Sequence, residues 1–199
     1  RGNVAAYTAD MVEFHVKRCF VAIPLDEMVV ADLADAMAGL TLEGMRRPPL
    51  ENLHVTVKFL GDVDDPQMPQ ILEALATATE DVPPFELELQ GLTYLPNPRR
   101  PRVLAAKLDR PAPLLKLQQQ VEELTHAIGF QKEGRVYNPH ITLGRYRKPP
   151  RDVVDLQQAS EQLKGESGWP VHSMVLLQSV LESAGPRYVE LAEFKLFSP

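Results

Sequence analysis

The sequence predicts an α+β fold made of two similar halves. Three observations carry that expectation. Segments with strand and helix periodicity alternate along the chain. Prolines cluster between those segments, at Pro83-Pro84, Pro96, Pro98, Pro101, Pro111, Pro113 and Pro149-Pro150, as punctuation. A His-x-Thr tetrapeptide occurs once in each half.

Residues 1–16 read as an N-terminal extension or expression remnant, interrupted by Asp10 and Glu13, and residues 17–199 as one domain. The first expected strand is 17–23. Asp26 is placed to cap a helix with Val29, Leu33, Met37 and Leu40 on one face, stopping at Gly39 or just beyond. Residues 53–60 alternate as a strand does. Asp65-Pro66 reads as a cap plus a first-turn proline, opening a helix through Ile71, Leu72, Leu75 and Ala78. A strand at 85–89 closes the first half. The second half repeats the grammar: a strand at 102–108, then a helix from about residue 112 with Leu114, Leu117, Val121, Leu124 and Ile128 in one stripe. A strand at 140–146, a helix at about 152–164 and strands at 171–181 and 188–196 follow.

With 199 residues, 44% of them hydrophobic and 24% charged, the chain is long and apolar enough for a sizeable core, which excludes intrinsic disorder. A net charge of −6, from 21 Lys+Arg against 27 Asp+Glu, excludes a histone-like polycation. The single cysteine, Cys19, closes no intramolecular disulfide and makes no Cys-x-x-Cys site. It fits a reducing compartment and, between Arg18 and Phe20 in a strand, reads as core. No apolar run approaches the roughly 20 residues that span a bilayer, so neither signal peptide nor anchor is expected and a cytoplasmic monomer is. The charge is uneven: residues 92–151 hold 12 Lys+Arg against 4 Asp+Glu, net +8, including Arg99, Arg100, Arg102, Lys107, Arg145, Arg147 and Lys148. Such a segment suits a phosphate-bearing ligand, or is a solvated face.

The chemistry concentrates in the repeated tetrapeptide. His54-Val55-Thr56-Val57 and His140-Ile141-Thr142-Leu143 lie 86 residues apart. Two such matches among five histidines arise by accident on the order of once in 200. Strand alternation puts His54, Thr56 and Lys58 on one face, and His140, Thr142 and Gly144 on one face. Two imidazoles can hold one neutral base and one charged acid near neutral pH, as in-line displacement at phosphorus requires. Each threonine hydroxyl can donate to a non-bridging phosphoryl oxygen. Gly144 leaves room for a ligand or a bulge, and Lys58 or a nearby arginine adds positive charge. Neither segment has a third His, Cys or Asp on its face, which argues against a metal site. His15, His126 and His172 read as structural.

The motifs 53–61 and 138–145, with 20–25, 101–104 and the tail from Ser179 to Tyr188, resemble the two-histidine phosphoesterase superfamily. Within it they are most similar to the RNA 2',3'-cyclic phosphodiesterases, also called 2'-5' RNA ligases. The resemblance implies a bilobal fold of two pseudo-symmetric halves, each with an antiparallel sheet and helices, around a central cleft. It implies opening of an RNA-terminal 2',3'-cyclic phosphate to a 2'-phosphate without metal or cofactor, and a capacity for reverse 2'-5' joining. The substrate would be such an RNA end or a small cyclic nucleotide. Carried over, His54 is the general acid to the 3' oxygen and His140 the base to water. Arg145 matches a family arginine of the phosphate pocket, although plain alternation sets it opposite His140 unless a bulge lies at Gly144. Residues 45–51 lack the tryptophan the family often carries there. The rivals are a cyclic phosphodiesterase for another nucleotide and an RNA-binding module without turnover.

Overall fold

The computed structural model describes residues 16–163, 168–183 and 185–197. The expected extension, His15 included, therefore lies almost wholly outside the described residues, as does the expected end of the fourth helix at Lys164. Strand β1 is Val16–Pro24 and helix α1 is Glu27–Ala38, where the Asp26 side chain accepts the Met28 N–H at 2.8 Å and Gly39 ends the helix. The short β2, Met45–Arg46, precedes β3, His54–Asp64. The second helix starts differently from expectation. Gln67 accepts the Asp64 N–H, a 3₁₀ turn spans Asp65–Gln67, and α2 runs Met68–Thr77, while Asp65 pairs with Lys17.

Strand β4, Phe85–Leu95, is about twice its expected length; β5 (Val103–Leu108), α3 (Ala112–Ala127) and β6 (His140–Tyr146) follow close to expectation. Helix α4 covers only Gln157–Gln162, because the Asp155 carboxylate accepts the Gln157 N–H and sets the start there. The expected strand at 171–181 is two strands, β7 (Gly168–Val171) and β8 (Ser173–Glu182), broken at the exposed His172. Strand β9 is Gly185–Lys195.

The strand order is β7-β4-β5-β6-β3-β1-β8-β9, with β2 added to β6, and all pairs are antiparallel. One lobe is β3-β1-β8-β9 and the other β6-β5-β4-β7. They meet edge to edge through a single pair, Val55 with Ile141. The order reads as a duplication with an exchange: β1-α1-β3-α2 sends its next strand, β4, to the second lobe, and β5-α3-β6-α4 leads through β7, still in the second lobe, to β8 in the first. The break at His172 is where the chain crosses back. The lobes are thus not the N- and C-terminal halves, although the fold class is the expected one.

All four helices lie on one side. Val29 and Leu33 of α1, Ile71 and Leu75 of α2, Leu114, Leu117 and Val121 of α3 and Ala159 of α4 join the core with Val21, Ile23, Val55, Leu104, Ala106 and Ile141 of the strands. Cys19 belongs to the same core, its thiol pushed up to about 11 by burial, which makes it inert. The opposite sheet face has only a small cluster of its own, Phe20, Ala22 and Val175 with Leu177 and Tyr188. That uncovered face is the cleft.

A β-bulge in each central strand decides which side chains reach it. Val21 pairs with Lys58 but Ala22 with Thr56, so Val57 is the extra residue; Leu104 pairs with Gly144 but Ala105 with Thr142, so Leu143 is. These two bulged residues are again 86 apart. Each inserted residue reverses the alternation beyond it.

Lys58 corrects the sequence reading. It is 4% exposed on the helix side, and its Nζ donates to Glu122 Oε2 at 2.6 Å and to the Gln131 carbonyl at 2.8 Å. The bulge has turned Lys58 into the core and Phe59, 69% exposed, toward the cleft.

Candidate active site

His54 opens β3, and its conformation is set by the two residues before it. A 3₁₀ turn, Leu50–Asn52, aims the Asn52 carbonyl at the ring, where Nδ1–H donates at 2.7 Å. Because a carbonyl can only accept, the ring proton is on Nδ1 and Nε2 is the basic nitrogen. The Thr56 hydroxyl donates to that Nε2 at 3.1 Å. Asn52 is itself clamped, its side-chain amide donating to the Pro186 carbonyl at 2.7 Å. At the second site His140 Nδ1–H donates to the Asn138 carbonyl at 2.8 Å, the same device two residues upstream. Both Nε2 atoms are thereby left for chemistry. Asparagine stands two residues before both histidines, a shared Asn-x-His-x-Thr pattern that was legible in the sequence and extends the repeat.

The pair Val55–Ile141 points both of its side chains, fully buried, into the core. The flanking His54, Thr56, His140 and Thr142 therefore all face the cleft, half-buried. Extending that register by one residue sets His54 toward Thr142 and Thr56 toward His140, so the four expected residues come together about the seam. Arg145 joins them. The bulge at Leu143-Gly144 turns it to the histidine face, as the resemblance required, and its charge reaches both His54 and Tyr188. The space a Gly144 Cβ would take is filled by the Met45 side chain from β2. Gly144 thus serves the bulge and the β2 contact.

Two residues of the site lie in segments that the resemblance covers, but no motif of their own marks them as site residues. Phe20 of β1 lies 4.9 Å from the His54 ring, and Tyr188 of β9 meets the same ring edge-on at 5.3 Å. They are 34 residues before and 134 residues after it. Phe59 extends the group, 5.9 Å from Phe20. This aromatic enclosure matters to the acid–base chemistry. Burial, with the charges of His140 and Arg145 added to it, holds His54 below the ordinary imidazole value, against the opposing pull of the Asn52 carbonyl. His54 is therefore neutral at pH 7 before substrate arrives.

A sequence profile described as the 2'-5' RNA ligase superfamily matches residues 29–182, more than three quarters of the chain. The chain belongs to that superfamily. Relatives named RNA 2',3'-cyclic phosphodiesterase include one from Methanothermobacter thermautotrophicus, 33% identical over 184 residues, covering 90% of this chain and 98% of its own. Another, from Thermus thermophilus, is 32% identical and covers 90% of each. The crystal structure of TT0787 of Thermus thermophilus matches with a TM-score of 0.78 at 29% identity, over 91% of this chain and 98% of that one. LigT of E. coli, at 22% identity, shares the fold with a TM-score of 0.77 over 92% of this chain and 100% of its own. Membership of the 2'-5' RNA ligase superfamily thus spans both His-x-Thr strands, both bulges and most of the sheet. Among the described residues no three His, Cys, Asp or Glu side chains converge as metal ligands, and no helix is long and apolar enough to cross a membrane.

Proposed function

We propose that this chain hydrolyses RNA-terminal 2',3'-cyclic phosphates as an RNA 2',3'-cyclic phosphodiesterase. The observation that carries the reading is the matched pair of imidazoles, each with Nδ1–H tied to a main-chain carbonyl and Nε2 turned to one cleft. The relatives' names supply the substrate class. In this reaction water attacks phosphorus and the bond from phosphorus to the 3' oxygen breaks. His140 takes the proton of water on Nε2, and His54 gives its Nε2 proton to the departing 3' oxygen. A 2'-phosphate and a 3' hydroxyl remain. Thr56, Thr142 and Arg145 donate to the non-bridging oxygens as charge builds there. With the 5' hydroxyl of a second RNA in place of water, the same steps make a 2'-5' linkage.

His54 enters neutral and must be protonated to act as acid. The anionic phosphate is what restores the proton, since an opposite charge nearby favours imidazolium. The sign of the pH dependence follows. In kcat/KM, which reports the free enzyme, the basic limb is the loss of protonated His54 as pH rises, and its position belongs to the pair rather than to His54 alone. In kcat, which reports the bound state, that limb moves to higher pH. Profiles of both constants, with substrate saturation checked at each pH, measure this. A basic limb at the same pH in both would argue that His54 is the base instead.

The proposed reaction is tested by incubating the protein with a short RNA ending in a 2',3'-cyclic phosphate and resolving the products by chromatography. The expected product is the 2'-phosphate; a dominant 3'-phosphate would overturn the assignment. Exhaustive EDTA treatment is expected to leave the rate unchanged, because side chains supply acid, base and phosphate donors. Loss with EDTA and recovery with a divalent ion would exclude the scheme.

A further inference from the structure

The two lobes repeat the same cleft-face pattern, and the position where the repeat fails points outward along the substrate. Across β1 and β3, Pro24 pairs with His54 and Ala22 with Thr56; across β5 and β6, Lys107 pairs with His140 and Ala105 with Thr142. The two alanines are fully buried and form the same floor beneath each threonine. Proline and lysine do not correspond. Directly paired residues of antiparallel strands share a face, with Cβ atoms about 4.5–5.5 Å apart. Lys107 therefore stands beside His140 on the cleft face. It is exposed, and among the described residues it has no ion-pair partner.

The surroundings give the cleft a polarity. Beyond His54 it opens into a cavity of about 490 Å³ lined by Leu25, Leu53 and Tyr188, with the carboxylates of Glu27, Glu51 and Glu190 at its edge. A phosphodiester leaving on that side meets negative charge. On the other side the segment that leads into His140 adds exposed Lys132 and Arg135 to Lys107. Lys107 also lies one strand outward from His140, away from His54, a step of about 4.8 Å. The reacting phosphorus lies between the two Nε2 atoms and already has three donors assigned to it. The lysine's reach is toward the next phosphate.

We propose that Lys107 binds the phosphate on the 5' side of the terminal nucleotide, so that the RNA strand leaves the cleft across β5 and the enzyme prefers oligonucleotide ends to cyclic mononucleotides. This rests on the phosphodiesterase reading above. The test compares a short RNA ending in a 2',3'-cyclic phosphate with a 2',3'-cyclic mononucleotide over a range of salt, in the wild type, Lys107→Ala and Lys107→Arg. In Lys107→Ala the ratio of kcat/KM for RNA to that for mononucleotide is expected to fall roughly fivefold, the size of one exposed charge contact. The loss is expected in KM, and the salt slope for RNA should shrink by about 0.7. Lys107→Arg should restore both. An unchanged ratio or an unchanged slope would overturn the proposal while leaving hydrolysis intact. A wild type inactive on both substrates would instead remove the phosphodiesterase reading itself, and this inference with it.

Discussion

His54→Ala or His140→Ala is expected to lower kcat by about 10² to 10⁴, and the double variant by little more than the worse single one. Each imidazole transfers one proton in the same displacement, and proton transfer by a positioned group is worth about that range. Removing either leaves its partner without a concerted counterpart, so the losses should not add. The wild type should show a bell-shaped rate profile whose two apparent values belong to the pair, and each single variant should lose one limb. Folding should survive, because both Nδ1 bonds are local and both side chains face the cleft rather than the helix-covered core. Steady-state kinetics with circular dichroism measures all of this. Near-normal turnover in His140→Ala would end the two-histidine mechanism.

Lys58→Ala is expected to act on stability rather than on phosphate binding. Its ammonium and the Glu122 carboxylate are 3% and 11% exposed, and Glu122 Oε2 also accepts the Glu133 N–H at 3.2 Å. Truncating one partner of such a pair leaves a buried charge uncompensated, at about 3–5 kcal/mol. For a domain of this size that is a fall in melting temperature of roughly 10 °C. Replacing both, as Lys58→Met with Glu122→Leu, should recover most of the loss, since paired apolar groups of similar volume avoid the desolvation cost. A Lys58→Ala protein with unchanged melting and a raised KM would return the lysine to the phosphate site.

The same two bulges explain why alternation misplaces Lys58 and Arg145. A period of two assigns faces correctly only until an extra residue enters the strand, and one insertion reverses every side chain after it. The bulges at Val57 and Leu143 send Lys58 inward and bring Phe59 and Arg145 outward. Gly144 marks a place for the second bulge, but nothing around Val57 announces the first, since valine suits a regular strand. The family resemblance requires Arg145 in the pocket, and the bulge is what reconciles that with the strand.

What the sequence determined by itself is local or repeated. Asp26 and Gly39 bound the first helix because caps act within a few residues; the stripe of Leu114, Leu117 and Val121 buries α3 because helical period is intrinsic to the chain. The twin His-x-Thr motifs named the site because duplication wrote it twice. The tertiary structure decided what depends on distant partners. It sent β4 to the lobe of β5 and β8 to the lobe of β1, a choice that strand pairing makes between surfaces far apart in sequence. It closed Phe20 and Tyr188 around His54, and that enclosure lowers the imidazole's proton affinity. It also set Lys107 beside His140 where the other lobe has Pro24. Register between strands is the cause in each case, and register is settled by long-range packing, not by the residues of either strand alone.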